Sequence, residues 1–452
     1  MLLPQRLALL LLLLASDALA QGSGSLRSSS TILMPPCPLA DAKFGHSLAV
    51  LEMDGVGRPD VAVGSWGKDV VYVFYGEGNQ AQLPEYELYR VFDSNGPVQC
   101  PPKENGDAFG YDVAGGQLDG DPEDELVVGA PYTPTSGLER AGAAYLIGGV
   151  TGSTPIPLMP PTANEGELYG NSVAVGDFDG DGQKDVAVSA PLSPVAGKSA
   201  GRVYIYFGPF DTTPAILALE NPNPTDNGNF GTHLTVHDGN ADGVDDLIVS
   251  AIGNTAGGIT YAGQVFIYPG PIDPVNWVVV EDPVKDPADQ PSPRYGMHVH
   301  ARGDVLAIGA NRKDWLGVHD AGMGFSVLAP TYSTVNLHPH PTPRKSDYVG
   351  YRAIVADVVG DSTLDVSFIV MASPWLNDPN YRALMTWDGN DLTGRPVRLR
   401  RMRNYTADHF ANGIDWMPSP TGGKDTVVMG DPTFDEPNGG LVNSGRIVFY
   451  HH

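Results

Sequence analysis

The residues best suited to chemistry are carboxylates at alternate positions of one glycine-rich loop, 177–185. Ca²⁺ takes about six to eight oxygen ligands in a flexible shell, and such a loop can supply most of them. The main-chain carbonyl of Gln183 at position seven would add a ligand, and the interspersed glycines permit the positive φ angles of a tight wrap. A metal-free acidic turn is the alternative interpretation. The predicted side-chain ligands are Asp177, Asp179, Asp181 and Asp185.

The same pattern recurs about sixty residues later and about sixty residues earlier. The later copy has an amide at one ligand position. The earlier copy begins with the uncharged Gln117 and ends with a longer glutamate, so we expect it to bind with lower affinity. The predicted ligands are Asp238, Asn240, Asp242, the carbonyl of Val244, and Asp246 in the later copy, and Asp119, Asp121, Glu123 and Glu125 in the earlier copy.

Two further copies are incomplete, and each is either a weak cation site or an acidic turn. One has Val359 where a ligand should stand. The other lacks the regular spacing. Their acidic residues are Asp357, Asp361 and Asp365, and Glu52, Asp54 and Asp60.

Aromatic–glycine pairs, or close variants of them, divide the chain into seven units of about sixty residues. Each unit contains short runs of valine, isoleucine and aromatic residues, which in the third unit are 172–175, 186–189, 202–207 and 216–219. A long period with four short strands per unit predicts an all-β, seven-bladed β-propeller over residues 30–452. The third strands of other units are predicted at 72–75, 144–147, 265–268 and 325–328. The seven pairs are Phe44-Gly45, Phe109-Gly110, Tyr169-Gly170, Phe230-Gly231, Tyr295-Gly296, Val349-Gly350 and Phe410-Ala411.

The seventh unit has no fourth strand, since the sequence ends soon after the apolar run 446–450. An open strand edge invites aggregation. We therefore expect the apolar segment 31–34, upstream of the first unit, to pair beside 446–450 and close the ring.

Residues 1–20 have a basic start, an apolar core and a small-residue cleavage site, which together predict a secretory signal peptide. Residues 21–29 would be a linker. No later segment is apolar enough to span a bilayer, and no lipid-anchor signal is apparent. We expect a secreted, monomeric protein. The net charge of −26, part of which bound calcium would neutralise, argues against nucleic acid or an anionic membrane as partner.

The two cysteines, Cys37 and Cys100, precede equivalent points of neighbouring units. In an oxidising compartment they form either one disulfide or two separate buried thiols. The sequence Asn404-Tyr405-Thr406 is a glycosylation acceptor motif.

These features together resemble the FG-GAP repeats that build the seven-bladed amino-terminal propeller of integrin alpha subunits. The aromatic–glycine pairs correspond to the Phe-Gly part of the repeat. The Gly-Ala-Pro part corresponds to residues 129–131 (Gly-Ala-Pro) and 189–191 (Ser-Ala-Pro). The resemblance implies calcium at the loop positions given above, on one face of the ring, and partners on the opposite face. The best loops fall in units two to four rather than in later blades, and nothing here corresponds to leg domains or a membrane helix. The resemblance is therefore to the module rather than to the receptor.

In the fifth unit the acidic loop shrinks to Arg302-Gly303-Asp304. This is either a tripeptide that integrins recognise or an ordinary hairpin turn. The pairs His298 with His300 and His338 with His340 could hold a metal with a carboxylate, although histidines are also unremarkable in a propeller channel. We find no nucleophile or phosphate-binding motif and do not expect an enzyme. The family includes a phospholipase that cleaves glycolipid anchors, but its catalytic domain has no counterpart here.

Three functions remain open. The first is an adhesion or recognition module for extracellular proteins. The second is a lectin that stacks sugars on tryptophans between blades. The third is an enzyme of polysaccharide breakdown. A lectin would show tryptophans at repeated positions, which are not evident among Trp66, Trp277, Trp315, Trp375, Trp387 and Trp416.

Overall fold

The computed structural model describes fourteen segments of the chain. They are residues 30–35, 39–55, 58–77, 85–93, 95–97, 106–148, 154–210, 213–285, 292–371, 382–393, 396–402, 413–418, 424–431 and 446–450. The signal peptide and linker, both cysteines, the glycosylation motif, Trp375 and the seventh Phe-Ala pair lie outside the described residues.

Seven antiparallel sheets of the described residues are blades, and each corresponds to one sequence unit; an eighth, two-stranded sheet is a hairpin within the third unit. The predicted seven-bladed β-propeller is confirmed. The strands of the first half are β1 Ser30–Leu33; in blade one β2 Leu48–Leu51, β3 Arg58–Ser65, β4 Val70–Glu77, β5 Glu85–Asp93 and β6 Gly96–Pro97; in blade two β7 Val113–Gly116, β8 Glu125–Ala130, β9 Ala143–Ile147 and β10 Ile156–Leu158; and in blade three β11 Val173–Gly176, β12 Asp185–Ala190, β13 Pro194–Val195, β14 Lys198–Ser199, β15 Arg202–Phe207 and β16 Ala215–Glu220.

The second half repeats the arrangement, with the innermost strand first in each blade. Two short 3-10 helices are present: Trp66–Lys68 follows β3, and Gly389–Asp391 follows the strand Arg382–Trp387 of blade six. The strands are β17 Phe230–His237, β18 Asp246–Ala251, β19 Gln264–Tyr268 and β20 Val278–Val280 in blade four; β21 Val299–Arg302, β22 Val305–Ala310, β23 Met323–Leu328 and β24 Val335–His338 in blade five; β25 Ala353–Ala356, β26 Asp365–Met371, β27 Arg382–Trp387 and β28 Arg398–Met402 in blade six; and β29 Ile414–Met417, β30 Thr426–Asp431 and β31 Arg446–Tyr450 in blade seven.

The second strands of blades two to six are deeply buried. Strands β8, β12, β18, β22 and β26 are buried at every residue. Each blade is covered by neighbours on both faces, so these strands are continuous apolar runs rather than alternating ones. In blade three, β15 has the predicted bounds, and β11, β12 and β16 differ from prediction by one residue at each end.

The repeated aromatic–glycine pairs form the seams between blades. The aromatic ring is fully buried in the five described blades that have one. The following glycine has a positive φ, as at Gly170 with +87°. A Cβ on Gly129, at the end of β8, would lie 2.0 Å from the carbonyl oxygen of Gly170 in the next blade. Only glycine allows this approach of two backbones.

The amino-terminal strand closes the ring. Strand β1 pairs antiparallel with β31, with Ser30 opposite Tyr450 and Leu33 opposite Ile447, and becomes the outer strand of blade seven. The predicted closure is confirmed.

Deleting residues 30–35 should lower the melting temperature of the protein by several degrees. The deletion removes a four-residue ladder whose hydrogen bonds contribute about 1 kcal/mol each, and it opens the ring between blades seven and one. The measurement is a thermal melt by circular dichroism. A control that lacks only residues 21–29 should melt like the mature chain, and an unchanged melt of the 30–35 deletion would contradict the closure.

Candidate metal-binding loops

The acidic loops connect the innermost strand of a blade to its second strand, so they all lie on one face of the propeller. The loop between β11 and β12 brings carboxylate oxygens of Asp177, Asp179 and Asp185 within 4.8 Å of one another. Asp177 and Asp185 are buried and Asp179 is exposed. Three negative charges this close repel one another unless a cation lies among them.

Backbone amides hold this loop in a wrapped shape. The amides of Gly180 and Gly182 donate to the two carboxylate oxygens of Asp177 at 2.8 and 3.0 Å. Both glycines have positive φ, +80° and +87°, as the sequence predicted. The exposed Asp181 accepts from the amide of Gln183 at 2.8 Å and is not part of the cluster. Three of the four predicted carboxylate ligands therefore form the cluster, and the carboxylate of Asp181 lies outside it.

Asp185 ends the loop at the start of β12. Its carboxylate accepts from the amides of Phe178 at 2.8 Å and Gly208 at 2.9 Å. Burial raises the pKa of Asp185 to about 6, and repulsion from Asp179 and Asp177 adds to this, although the two hydrogen bonds oppose it. A cation bound in the cluster would favour the ionised form.

The loop of blade two contains a buried carboxylate oxygen with no hydrogen-bond partner. Oxygens of Asp119, Asp121 and Glu125 lie within 4.8 Å of one another. Glu125 is 3% exposed, its Oε2 accepts from the amide of Leu118 at 2.6 Å, and its Oε1 is unsatisfied. Burial raises the pKa of Glu125 to about 7, with added repulsion from Asp119 and Asp121. A buried carboxylate oxygen without a hydrogen-bond partner, close to two further carboxylates, suits a cation ligand. The fourth predicted ligand, Glu123, donates its amide to Asp121.

The loop of blade four has the predicted wrap but a different set of contacts. Asp238 accepts from the amide of Gly243 at 2.9 Å, and the amide group of Asn240 donates to Asp242 at 2.8 Å. Asp246 accepts from the hydroxyl of Tyr332 at 3.2 Å. The carboxylates of this loop are not among the close clusters of the described residues. Val244, whose carbonyl was predicted as a ligand, donates its amide to Asp242 at 2.9 Å.

The two incomplete loops also gather carboxylates. Glu52, Asp54 and Asp60 form one cluster, and burial raises the pKa of Asp60 to about 6. In blade six the sequence lacks a ligand at Val359, and Asp388, at the end of β27, joins Asp361 and Asp365 instead. The spacing of residues within one loop could not identify Asp388 as a member of this cluster. The sequence feature that could have indicated it is the acidic turn 388–391.

A second set of aspartates, at loop position eight, joins neighbouring blades. Asp245 of blade four accepts from the amide of Asp177 in blade three at 2.8 Å and returns its own amide to the carbonyl of Asp177 at 2.8 Å. Lys184 donates to the same carboxylate at 2.6 Å. The equivalent reciprocal pairs are Asp124 with Glu52 and Asp425 with Asp357. The sequence analysis missed these inter-blade contacts, whose signal is an acidic residue directly before the last ligand position.

The turn Arg302-Gly303-Asp304 connects β21 and β22 as a two-residue hairpin. The guanidinium of Arg302 donates to Asp425 at 2.5 Å and lies 3.3 Å from the ring centre of Trp416. Both partners belong to blade seven. The arginine therefore fastens two blades, and Gly303 and Asp304 are the exposed part of the turn.

The innermost strands surround a central cavity of about 560 Å³. Within it, Nδ1 of His298 and of His300 accepts from the amides of Ala353 and Val355 in the next blade, at 3.3 and 3.2 Å. Burial lowers the pKa of both histidines. Neutral imidazoles thus satisfy backbone groups across a seam.

The second histidine pair also has partners within the fold. Nε2 of His338 contacts the hydroxyl of Ser326 at 2.8 Å, its ring packs on Trp387, and burial lowers its pKa to about 3. Nδ1 of His340 contacts the carbonyl of Thr342 at 2.8 Å. Neither pair gathers with a carboxylate into a close cluster of the described residues.

Comparison with known proteins agrees with this architecture. A family model described as FG-GAP repeat matches residues 169–206. Integrin alpha-5 of Xenopus laevis is 29% identical over 239 residues, which is 50% of this chain and 21% of the relative. Integrin alpha-IIb of Mus musculus is 35% identical over 157 residues, 32% of this chain and 15% of the relative. Phosphatidylinositol-glycan-specific phospholipase D of Rattus norvegicus is 29% identical over 216 residues, 42% of this chain and 24% of the relative.

The chain thus contains a segment that matches an FG-GAP repeat, and it is similar in sequence to integrin alpha subunits. It spans less than a quarter of the length of these relatives. Within the described residues, no helix has the length and apolar character needed to cross a membrane.

Replacing Asp245 by alanine should destabilise the protein by about 2 kcal/mol, because it leaves the amide of Asp177 and the ammonium of Lys184 without their shared acceptor. The change is measured as the free energy of unfolding in denaturant, with chelator present so that metal binding does not contribute. The exposed Asp226, in the connection between β16 and β17, is the matched control, and Asp226→Ala should shift stability by less than about 0.5 kcal/mol. Equal effects of the two substitutions would contradict the role of Asp245.

Proposed function

We propose that this chain is a secreted, calcium-stabilised propeller that recognises an extracellular protein through the face opposite the acidic loops. This proposal rests on the separation of two surfaces. Carboxylate clusters lie at one end of the innermost strands, and a cluster of aromatic side chains lies at the other end. Secretion rests on the predicted signal peptide, and the recognition role rests on the resemblance to integrin alpha subunits.

Calcium is supported by the chemistry of the clusters. Their donors are carboxylate oxygens in wrapped loops, which suit a hard cation of flexible coordination. The ligands we propose are those predicted from the sequence, strengthened in blade two by the unsatisfied oxygen of Glu125 and extended in blade six by Asp388.

The substitution Glu125→Gln should change the melting temperature in opposite directions with and without calcium. In chelator the substitution should raise the melting temperature, because it removes a buried charge. In calcium the substitution should lower the melting temperature, because a ligand is lost. A site at a hundredfold excess of calcium over its dissociation constant contributes about 2.7 kcal/mol. The exposed Glu139→Gln is the control and should have little effect in either buffer.

The pH dependence checks the same group. The pKa of Glu125 in the folded state is about 7, above its ordinary 4.5, so its contribution to stability is full below 4.5 and is lost as pH rises through 7. In chelator, stability should therefore fall between pH 5 and 8, less steeply in Glu125→Gln. Equilibrium dialysis that finds no bound calcium at millimolar concentration would overturn the calcium proposal.

The face opposite the loops presents aromatic side chains near the mouth of the channel. Trp66, Tyr111 and Tyr132 contact one another, with His46 against the first two and Arg140 over Tyr132. The three aromatic rings are partly exposed. Partly exposed aromatic groups are typical anchors for protein partners. This group is confined to blades one and two, so it is a local patch rather than a repeated feature.

The lectin alternative requires equivalent tryptophans between successive blades. The described tryptophans occupy different places: Trp387 is buried in β27, Trp416 lies in the innermost strand β29, and Trp277 lies just before the outer strand β20. Their positions favour packing roles over a repeated sugar site.

The double variant Trp66→Ala with Tyr111→Ala should weaken capture of an extracellular protein at least tenfold. The mature chain is immobilised in calcium, exposed to conditioned medium, and the retained protein is quantified. Trp277→Ala, on the outer edge, is the control and should bind like the parent. Undiminished capture by the double variant would reject this face, and calcium-dependent binding to one sugar on a glycan array would favour the lectin.

A further inference from the structure

The central cavity is lined by a ring of polar side chains at equivalent positions of the blades. Each is the second residue after the repeat pair, which is Phe-Gly or one of its variants. The innermost strands contact one another in cyclic order, so these residues follow chain order around the cavity. Blade seven has a glycine at this position. The six side chains of the ring are Ser47, Asp112, Ser172, His233, His298 and Arg352.

The histidines of blade five direct fixed N–H donors to the cavity. Nδ1 of His298 accepts from the amide of Ala353 at 3.3 Å, and Nδ1 of His300 accepts from the amide of Val355 at 3.2 Å. Both imidazoles are neutral, because burial lowers their pKa values. A neutral imidazole whose Nδ1 accepts a hydrogen bond carries its proton on Nε2. No described residue accepts from either Nε2 atom, so a molecule in the cavity can accept from both.

The guanidinium of Arg352, in the next blade, lies beside these histidines and lines the same cavity. It donates to the carbonyl of Tyr351 at 3.0 Å, and its central carbon lies 4.8 Å from the centre of the Tyr351 ring. Burial lowers the pKa of His233 to about 3, and the positive charge of Arg352 adds to this effect. A guanidinium carries five N–H donors in a planar fork, which matches a carboxylate. Arg352 and the two Nε2 donors form a donor wall in blades five and six.

Asp112 supplies a carboxylate on the opposite side of the ring. It belongs to blade two, and in a closed ring of seven blades the second lies opposite the junction of the fifth and sixth. Its Oδ2 accepts from the hydroxyl of Ser172 at 2.8 Å and from the amide of Val173 at 3.0 Å. Burial raises the pKa of Asp112 to about 6, and these hydrogen bonds oppose that effect. The carboxylate is therefore held in place and mostly ionised at neutral pH.

The charges of the cavity determine which molecules suit it. Its lining contains one guanidinium, Arg352, and two carboxylates, Asp112 and Asp415. A simple anion would meet the two carboxylates, and a simple cation would meet the guanidinium. A molecule that carries both charges matches both sides. Alanine side chains deeper in the channel give apolar surface for a hydrocarbon body; they are Ala49, Ala114 and Ala174.

We propose that the central cavity binds a small zwitterion, with its carboxylate at Arg352 and His298 and its ammonium group at Asp112. Charge-assisted hydrogen bonds would form at both ends of the ligand. Tyr111 lines the cavity and also belongs to the aromatic cluster at the channel mouth, so the ligand would enter from that face. The proposal depends on neither the acidic loops nor a protein partner.

The test is isothermal titration calorimetry of the mature chain with three amino acids in calcium-containing buffer. Glycine, 4-aminobutanoate and 6-aminohexanoate are compared, because the separation of their charges increases in that order. The best of them should bind at least about tenfold more tightly than its matched acid, which lacks the ammonium group, and than its matched amine, which lacks the carboxylate.

Two variants test the opposite sides of the ring. Asp112→Asn keeps an acceptor for the amide of Val173 but removes the negative charge, so the zwitterion should then bind no more tightly than the matched acid. Arg352→Gln removes the guanidinium, so the zwitterion should bind no more tightly than the matched amine. The controls are Asp226→Asn and Arg312→Gln, which make the same charge changes at exposed positions. Both controls should bind the zwitterion like the parent.

Three results would overturn the proposal. The first is that no probe binds the parent at millimolar concentration, which would indicate a channel that holds only water. The second is that the matched acid or amine binds the parent as tightly as the zwitterion does. The third is that the control variants weaken binding as much as the cavity variants. Melting temperatures are measured alongside. If Arg352→Gln does not fold, Arg352→Lys replaces it, and the loss of the planar fork should still weaken binding of the zwitterion.

Discussion

The propeller depends on the close approach of two backbones at four of the seams between its described blades. Where a glycine ends the second strand of one blade and another begins the next blade, as at Gly64 with Gly110 or Gly309 with Gly350, an added Cβ would lie within about 2 Å of a carbonyl oxygen. Two seams use serine instead: the hydroxyls of Ser189 and Ser250 accept from backbone amides within their own blades. The Phe-Gly and Gly-Ala-Pro segments therefore act together at the glycine seams. One blade supplies the glycine near the end of its second strand, and the next blade supplies the glycine that follows its aromatic residue.

This constraint explains why the candidate binding groups lie at the ends of the strands rather than within them. The second strands of blades two to six are buried at every residue, so they have no freedom for binding groups. The loops at one end can gather carboxylates, and the connections at the other end can present aromatic side chains. The acidic loops contain two kinds of acidic residue. One kind, such as Asp185, belongs to the cluster, and the other, such as Asp245, joins the preceding blade.

Ring closure imposes a second requirement, because blade seven is built from both ends of the chain. Arg302 adds a link between blades five and seven through Asp425 and Trp416, which lie in different parts of blade seven. The tripeptide 302–304 is therefore part of the scaffold. A three-residue sequence motif does not show whether its arginine is already hydrogen-bonded within the fold.

The sequence by itself determined the number of blades, the closing strand and the wrap of the loops. These follow from short-range rules: a repeat period, strands of alternating or continuous apolar residues, and glycines where φ must be positive. Tertiary structure alone decided which carboxylates meet. Asp388 joins Asp361 and Asp365 from another connection, Asp181 points its carboxylate at a backbone amide, and Asp245 serves the neighbouring blade. Such contacts depend on distances between segments that are remote along the chain, and residue spacing within one loop does not contain them.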